Sequence, residues 1–342
     1  MPEVADDDGV LRVEACGLCG TDHEQYTGVL PAGFAFIPGH EAVGVIEAVG
    51  PAAAQRWGVK VGDRVAVVAV PSCRECAQCR AGHYQRCARH GLRDMYGNIA
   101  IDRPPALWGG YAEYQYLEPD TMIHKVPDSL DPVLATMFNP LGAGIYWAVT
   151  LPGTGPGDVV AILGPGVRGL SAVAATKQAG ARFVMVTGLG RRDDRRLKLA
   201  TAFGADLAVD VASTDPAEAL KKATGGLADV VVDVTAKAPA ALAQAIGLAR
   251  PGGTVVLAGT RGSGETPGFS PDLIVFKELR ILGTLGVDVA AHQGALELLA
   301  SRRFPFADLP RQCASLDSAE DLLRAMAGES EDPAPVHGVI RP

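Results

Sequence analysis

Residues 71–87, PSCRECAQCRAGHYQRC, place Cys73, Cys76, Cys79 and Cys87 at the spacing C-x2-C-x2-C-x7-C. Four thiolates on one short loop can close a tetrahedral zinc site with no open position, so the spacing predicts one structural zinc. An iron–sulfur cluster is the rival reading. The bacterial ferredoxin run ends C-x3-C-P, whereas here the last gap is seven residues and Ala88 follows. Arg74, Arg80 and Arg86 read as a solvated face that offsets thiolate charge rather than as a nucleic-acid knuckle. A second group mixes donor types. Cys16, Cys19, Asp22, His23 and Glu24 crowd one segment, and His40 and Glu41 follow in a Pro-Gly turn. Thiolate, imidazole and carboxylate are all zinc donors. A third motif, residues 160–169, VAILGPGVRG, supplies G-x-G-x-x-G through Gly164, Gly166 and Gly169. Its first glycine permits a tight turn, the second lets backbone approach a pyrophosphate, and the third lets helix and strand pack closely.

These residues need elements to hold them. The apolar run 158–163 reads as a buried strand and 170–180 as a helix, which is the context the dinucleotide fingerprint requires. The helix start then offers unpaired N–H groups to phosphate. Strand patterns recur at 182–187, 207–211, 229–234, 254–259 (after Pro251-Gly252-Gly253) and 279–284, separated by helical stretches such as 193–203. That alternation predicts βαβ units and a parallel sheet. Upstream, alternating strands at 11–14 and 59–68 with Gly-rich turns suggest a small β-barrel-like fold. Residues 89–108 are irregular and polar, either a surface loop or a wall of the substrate cleft. Residues 131–149 read as a helix, an Asn-Pro break and a second helix at the joint between domains, and a last strand is expected at 336–340.

A length of 342 residues suggests two domains. Hydrophobic residues at 48% and charged residues at 20% fit a globular chain, and the net charge of -8 argues against nucleic acid and anionic membrane surfaces as partners. No apolar run approaches the roughly 18 residues of a membrane span. The acidic start MPEVADDDG has no signal-peptide core, so the chain is read as cytoplasmic. Its seven cysteines are then better read as metal-binding or catalytic than as disulfides.

The sequence resembles the zinc-dependent medium-chain alcohol dehydrogenase family. The carriers are Gly17-Leu18-Cys19-Gly20-Thr21-Asp22, Gly39-His40-Glu41, the four-cysteine lobe, Gly109-Gly110-Tyr111-Ala112-Glu113-Tyr114 and the Gly-rich turn, in the family's order over nearly the whole chain. The resemblance implies an α/β protein. A GroES-like, β-rich catalytic domain (1–141 and 285–342, with the zinc lobe at 71–88) would carry an inserted Rossmann NAD(P)-binding domain (142–284). It also implies a catalytic zinc beside a nicotinamide, a small-molecule alcohol or carbonyl substrate, and a homodimer or homotetramer. Relatives usually carry about two extra strands before the Cys19 motif, so the first hairpin is expected to be missing or rebuilt from residues 1–9.

Residue roles follow from the same resemblance. Cys19 and His40 hold the catalytic metal, and Asp22 accepts the other ring N–H of His40. Thr21 relays the alcohol proton, with Glu24 or His23 as the farther relay. Glu41 stands behind the zinc and can exchange in as a ligand. The family usually has Glu, Asp or Cys as third ligand where this chain has Asn139. Three outcomes stay open: Asn139 binds through its amide oxygen, Glu41 moves in, or zinc is absent. A labile zinc on Cys19, His40 and Glu41 or water is favoured. Gly164, Gly166, Val167 and Gly169 meet the pyrophosphate. The slot that selects NAD by an acidic residue falls on Gly188, and Arg191, Arg192, Arg195 and Arg196 follow, which leans toward NADP. Asp193 or Asp194 reaching the ribose would restore NAD. The reading is a zinc-dependent oxidoreductase moving a hydride between an alcohol, polyol or amino alcohol and NAD(P). The alternatives are a zinc-free NADPH-dependent reductase of an activated double bond or quinone, and a non-catalytic nucleotide-binding protein.

Overall fold

The computed structural model describes residues 2–30, 32–236, 238–261, 266–330 and 333–342. In chain order the elements begin with β1 (Gly9–Leu18), α1 (Gly20–Tyr26), β2 (Ala42–Val49), α2 (Pro51–Trp57), β3 (Arg64–Val67), α3 (Ala77–Arg80), β4 (Tyr114–Leu117), β5 (Ile123–Lys125), α4 (Pro132–Ala135) and α5 (Phe138–Ile145). They continue with β6 (Val159–Leu163), α6 (Val167–Gln178), β7 (Phe183–Gly188), α7 (Asp194–Ala202), β8 (Leu207–Asp210), α8 (Pro216–Thr224), β9 (Ala228–Asp233), α9 (Ala241–Leu248), β10 (Ala249–Leu257) and α10 (Asp272–Phe276). The last are β11 (Arg280–Gly283), α11 (Val289–Ala300), β12 (Arg311–Ala314), α12 (Ala319–Ala327) and β13 (His337–Ile340). No helix among the described residues is long and apolar enough to cross a membrane.

The chain divides into two compact units, Met1–Asn139 with Asp288–Pro342, and Pro140–Val287. The first unit is built on a seven-stranded sheet in the order β12-β13-β1-β2-β3-β5, with β4 also on β1. β1 is apolar and buried except at Arg12 and Glu14, and it pairs antiparallel with β2, β4 and β13. Its core holds Leu11, Ile46, Val65, Tyr96, Trp108 and Leu117. Residues 5–8 pack on the start of α2, where Ala52 and Ala53 donate to the Asp6 carbonyl. The second unit is a six-stranded parallel sheet in the order β11-β10-β9-β6-β7-β8, the doubly wound order expected from the strand–helix alternation. Its central strands are continuous valine-rich runs because helices cover both faces of such a sheet. β10 starts earlier than its sequence pattern suggests. It runs through Pro251-Gly252-Gly253, and the register shift between Ala249 and Thr254 absorbs those turn residues as an irregularity within the strand.

One buried histidine ties the closing strand of the first unit to α4. His337 of β13 is 1% exposed. Its Nδ1 accepts from Arg311 Nε at 2.9 Å, so Nε2 carries the proton and faces Thr136 Oγ1 at 3.2 Å. Thr136 in turn donates to the Val133 carbonyl at 2.8 Å. Burial, helped by the Arg311 charge, pushes the His337 pKa down to about 3. An unfolded histidine takes up a proton near pH 6.5, whereas the folded ring stays neutral until about pH 3. Its contribution to stability is therefore complete above pH 6.5 and declines on acidification, by roughly 1.4 kcal/mol per pH unit. The stability gap between wild type and His337→Gln, from urea unfolding of the first unit, is expected to shrink by about 2 kcal/mol from pH 6.5 to 5. An unchanged gap would show that the ring protonates in the folded state.

Candidate active site and metal centres

The cysteine lobe follows β3. Cys76 caps α3, accepting from Cys79 N at 3.4 Å, and Cys73 Sγ accepts from Cys76 N at 3.4 Å. The four Sγ atoms lie within 4.8 Å of one another, with Cys73 and Cys79 Sγ 3.8 Å apart. A tetrahedron of 2.3 Å zinc–sulfur bonds has edges of about 3.8 Å. All seven cysteines are free thiols. Burial opposes ionisation of Cys87, but backbone N–H groups of His90, Cys73 and Arg89 outweigh it and draw its pKa down to about 6. N–H groups of Ala88 and Cys79 lower that of Cys76. These thiols fit a four-thiolate zinc.

The second centre forms where β1 ends and β2 begins. Gly17 N donates to the Glu41 carbonyl at 3.1 Å, which sets Cys19 beside the His40-Glu41 turn. A Cβ on Gly17 would sit 2.3 Å from Glu41 Oε2, so the glycine makes room for that carboxylate. Ligand atoms of Cys19, His40 and Glu41 lie within 4.8 Å of one another, and all three residues are buried. Asp22 locks the start of α1: its Oδ2 accepts from Cys19 N at 2.8 Å and from Tyr111 Oη at 3.1 Å. Asp22 Oδ1 faces His40 Nδ1 at 3.4 Å, and neither atom has another polar partner among the described residues. With Nδ1 turned to the carboxylate, Nε2 is the ring nitrogen left for a metal. Burial works against protonating His40, but the Asp22 charge, its hydrogen bond to the ring and Cys19 push the pKa well up. The same field keeps neighbouring thiol and phenol neutral: burial and then Asp22 raise both Cys16 and Tyr111. A buried pocket that favours positive charge this strongly fits a metal cation.

Asn139, at the start of α5, stands against Glu41. Its amide nitrogen donates to Glu41 Oε1 at 2.7 Å, and its oxygen lies 3.3 Å from His292 Nε2. His292 is 3% exposed on α11, between the Phe138 and His124 rings. Thr21 Oγ1 lies 3.8 Å from Cys19 Sγ, and the residue is half-buried. His23 Nε2 pairs with Glu329 at 2.8 Å, and the Glu24 carbonyl accepts from Leu30 N at 3.0 Å. Glu24 itself is half-buried on α1.

In the second unit the glycine turn joins β6 to α6. Gly164 has φ 102°, and a Cβ on Gly169 would lie 1.9 Å from the Gly164 carbonyl oxygen, so no side chain fits there. Nothing lies within 4 Å of where a Cβ on Gly166 would stand, which leaves the turn open to a phosphate, with Val167 as the first helical residue. The turn sits between β6 and β9, the switch point of the sheet. Gly188 ends β7, and a side chain there would meet Asp193 Cβ at 2.9 Å, Leu197 Cδ2 at 3.1 Å and Pro165 Cγ at 3.1 Å. Asp193 is 9% exposed, accepts from Leu189 N at 2.9 Å and faces Arg196 at 3.7 Å. Arg191, Arg192 and Arg195 are exposed on the loop and the first turn of α7. This unit fits a dinucleotide.

Sequence reasoning missed several residues. Tyr111 appeared only within a motif, yet its hydroxyl reaches Asp22. Asp233, fully buried at the carboxyl end of β9, accepts from Thr235 N and Oγ1 and pairs with Arg261. His292 had no local signal, since the hydrogen-bond partner of its ring, Asn139, lies 153 positions away.

Known proteins match along the same lines. The family model "Alcohol dehydrogenase GroES-like domain" matches residues 5–128, and "Zinc-binding dehydrogenase" matches residues 168–301. A Mycobacterium tuberculosis protein named "Probable alcohol dehydrogenase" is 68% identical over 100% of this chain and 94% of its own length. The sorbitol dehydrogenase of Bacillus subtilis is 32% identical over 97% of this chain and 90% of its own. Among solved structures, a zinc-binding dehydrogenase of Sinorhizobium meliloti bound to NADP superposes with a TM-score of 0.84 at 31% identity, covering 100% of this chain and 94% of that one.

Two substitutions test the two cradles separately. Cys76→Ser is expected to lower zinc content by one atom per chain and to lower the melting temperature, while dinucleotide affinity stays near wild type; unchanged zinc content would remove the lobe as a metal site. Gly169→Ala is expected to weaken dinucleotide binding at least tenfold by calorimetry, because its methyl would overlap the Gly164 carbonyl. Wild-type affinity would mean the turn does not hold the phosphates.

Proposed function

The chain belongs to the zinc-type medium-chain alcohol dehydrogenase family and is an NAD(P)-dependent oxidoreductase of alcohols; from that premise we propose how its residues divide the work. Cys19, His40 and Glu41 hold the catalytic zinc, and the carrying observation is their convergence in one buried, cation-favouring pocket. Cys73, Cys76, Cys79 and Cys87 hold the structural zinc. When bound, the catalytic zinc supplies Lewis acidity to the substrate oxygen and the nicotinamide exchanges the hydride.

This chain's own residues do the rest. Asp22 fixes the His40 ring so that Nε2 faces inward. Thr21, beside Cys19, takes the proton from the substrate hydroxyl during oxidation and returns it during reduction. Glu24 is the better candidate to pass that proton on, because His23 is held by Glu329. Gly164, Gly166, Val167 and Gly169 seat the pyrophosphate. NADP is the preferred cofactor: position 188 is a tightly packed glycine rather than an acid, Asp193 accepts from its own loop, and exposed Arg191 and Arg192 suit a 2′-phosphate. The NADP bound to the Sinorhizobium meliloti relative supports the same choice. The substrate is a small alcohol, polyol or amino alcohol, or the matching carbonyl compound, in keeping with the names of the relatives.

The protein works in the cytoplasm, where seven free thiols persist, and as a homo-oligomer. Val275 and Phe276 on α10 are 71% and 78% exposed, and the next strand in the chain, β11, is an edge strand paired on one side with β10. A second copy would cover both.

Freshly purified protein is expected to hold two zincs per chain. Mild chelation should remove one together with alcohol oxidation, and kcat/KM should be at least tenfold higher with NADP than with NAD. Activity that survives loss of that zinc would point instead to a zinc-free reductase, and equal or better kcat/KM with NAD would reverse the cofactor assignment.

A further inference from the structure

Asn139 faces Glu41 with its nitrogen, although an asparagine amide can turn over and present its oxygen instead. A carboxylate only accepts hydrogen bonds, so the turned-over amide would set oxygen against oxygen and release Glu41. Something must hold the amide in the gripping orientation. The polar group opposite its oxygen is His292 Nε2, 3.3 Å away on α11. α11 is itself pinned at its start, where Asp288 accepts from Ala291 N at 2.6 Å. Among the described residues His292 Nδ1 is buried without a hydrogen-bond partner, and the ring's hydrogen-bond contact is with Asn139. Phe138 and His124 flank the ring at centroid distances of 5.2 and 5.8 Å and restrict its rotation.

We propose that His292 is a positioning residue of the catalytic metal centre: its Nε2–H donates to the Asn139 oxygen, orients that amide toward Glu41, and so holds the Glu41 carboxylate as third protein ligand. The inference rests on the reading that Cys19, His40 and Glu41 bind the metal. An amide has no mobile proton at neutral pH, so the series His292–Asn139–Glu41 is a brace rather than a proton path. It acts on how long the metal stays and on the geometry of its ligands. Asn139 contributes through Glu41, with its nitrogen committed to that carboxylate and its oxygen to the imidazole.

The test compares wild type, Cys19→Ser, His292→Leu and His292→Gln for zinc content, rate of zinc transfer to a colorimetric chelator, and the visible spectrum after cobalt(II) replaces the labile zinc. Wild type should hold two zincs and Cys19→Ser one. His292→Leu should keep the lobe zinc and release the other severalfold faster; loss of a direct partner of a ligand costs about ten- to a hundredfold in affinity, and His292 acts one hydrogen bond further out, through Asn139. Its cobalt bands should shift as the carboxylate loosens. His292→Gln, which still offers an N–H, should return release and spectrum toward wild type. Should His292→Leu misfold, His292→Asn keeps polarity but is too short to reach the amide, and its zinc should leave faster in the same way. Wild-type release and spectrum in His292→Leu, or in His292→Asn if that variant is used, would overturn the positioning role while leaving the ligand reading intact. A single zinc in wild type, unaffected by Cys19→Ser, would overturn the ligand reading itself.

Discussion

One carboxylate sets the terms of the catalytic unit. Asp22 is 2% exposed and carries a charge that costs several kcal/mol to bury unless it is matched. The fold matches it three ways. The Cys19 backbone N–H satisfies Oδ2 and starts α1, the Tyr111 hydroxyl reaches the same oxygen from a motif 89 residues away, and His40 stands opposite Oδ1. Each contact also does structural work. The first turns the chain sharply after β1 so that the Cys19 thiol faces inward. The second ties the segment before β4 to α1. The third chooses which ring nitrogen of His40 remains available. Moving Asp22 would disturb the helix cap, the sheet and the ligand geometry together.

Asp22, Glu41 and the Cys19 thiol are buried together around His40. Like charges in a low-dielectric space interact strongly, which is why burial and Asp22 together hold protons on Cys16 and Tyr111. A divalent cation relieves that repulsion in a way a protonated histidine does only in part. On the proposed ligand set, metal binding and the folding of this unit are linked. The cysteine lobe follows a different logic. There the stabilising groups are backbone N–H bonds to sulfur on one short loop, which depend little on the rest of the sheet.

That difference explains what could be read from the sequence. Spacing within one loop is a local property, so the four cysteines and the three glycines of the dinucleotide turn stood out, as did the valine-rich runs of β6 and β9. Contacts that join distant segments leave no such mark. His292 and Asn139 are 153 residues apart, and His23 meets Glu329 across 306. Neither spacing nor periodicity encodes those pairs. β10 failed for another reason. Pro251-Gly252-Gly253 carries turn chemistry, and tertiary pairing with β9 overrode it by accepting a register shift. The slot at Gly188 was legible as a missing acid. The packing of Asp193, Leu197 and Pro165 around it shows that a side chain there would make these neighbours shift.

On the proposed ligand set of Cys19, His40 and Glu41, the amide at position 139 changes the charge balance of the metal site. A carboxylate or thiolate at that position would add one more negative charge to a pocket already holding Asp22 and Glu41. An amide removes that charge and gives an N–H to the carboxylate that remains. Glu41 can then approach a cation with less repulsion from its neighbours, and with one oxygen already engaged its orientation is defined. Room for this approach is built into β1: Gly17 offers no side chain where Glu41 Oε2 lies. A neutral third position, a glycine opposite the glutamate and a histidine-held amide behind it are therefore one arrangement. Each part makes sense once the carboxylate of Glu41, rather than residue 139, is taken as the group that meets the metal.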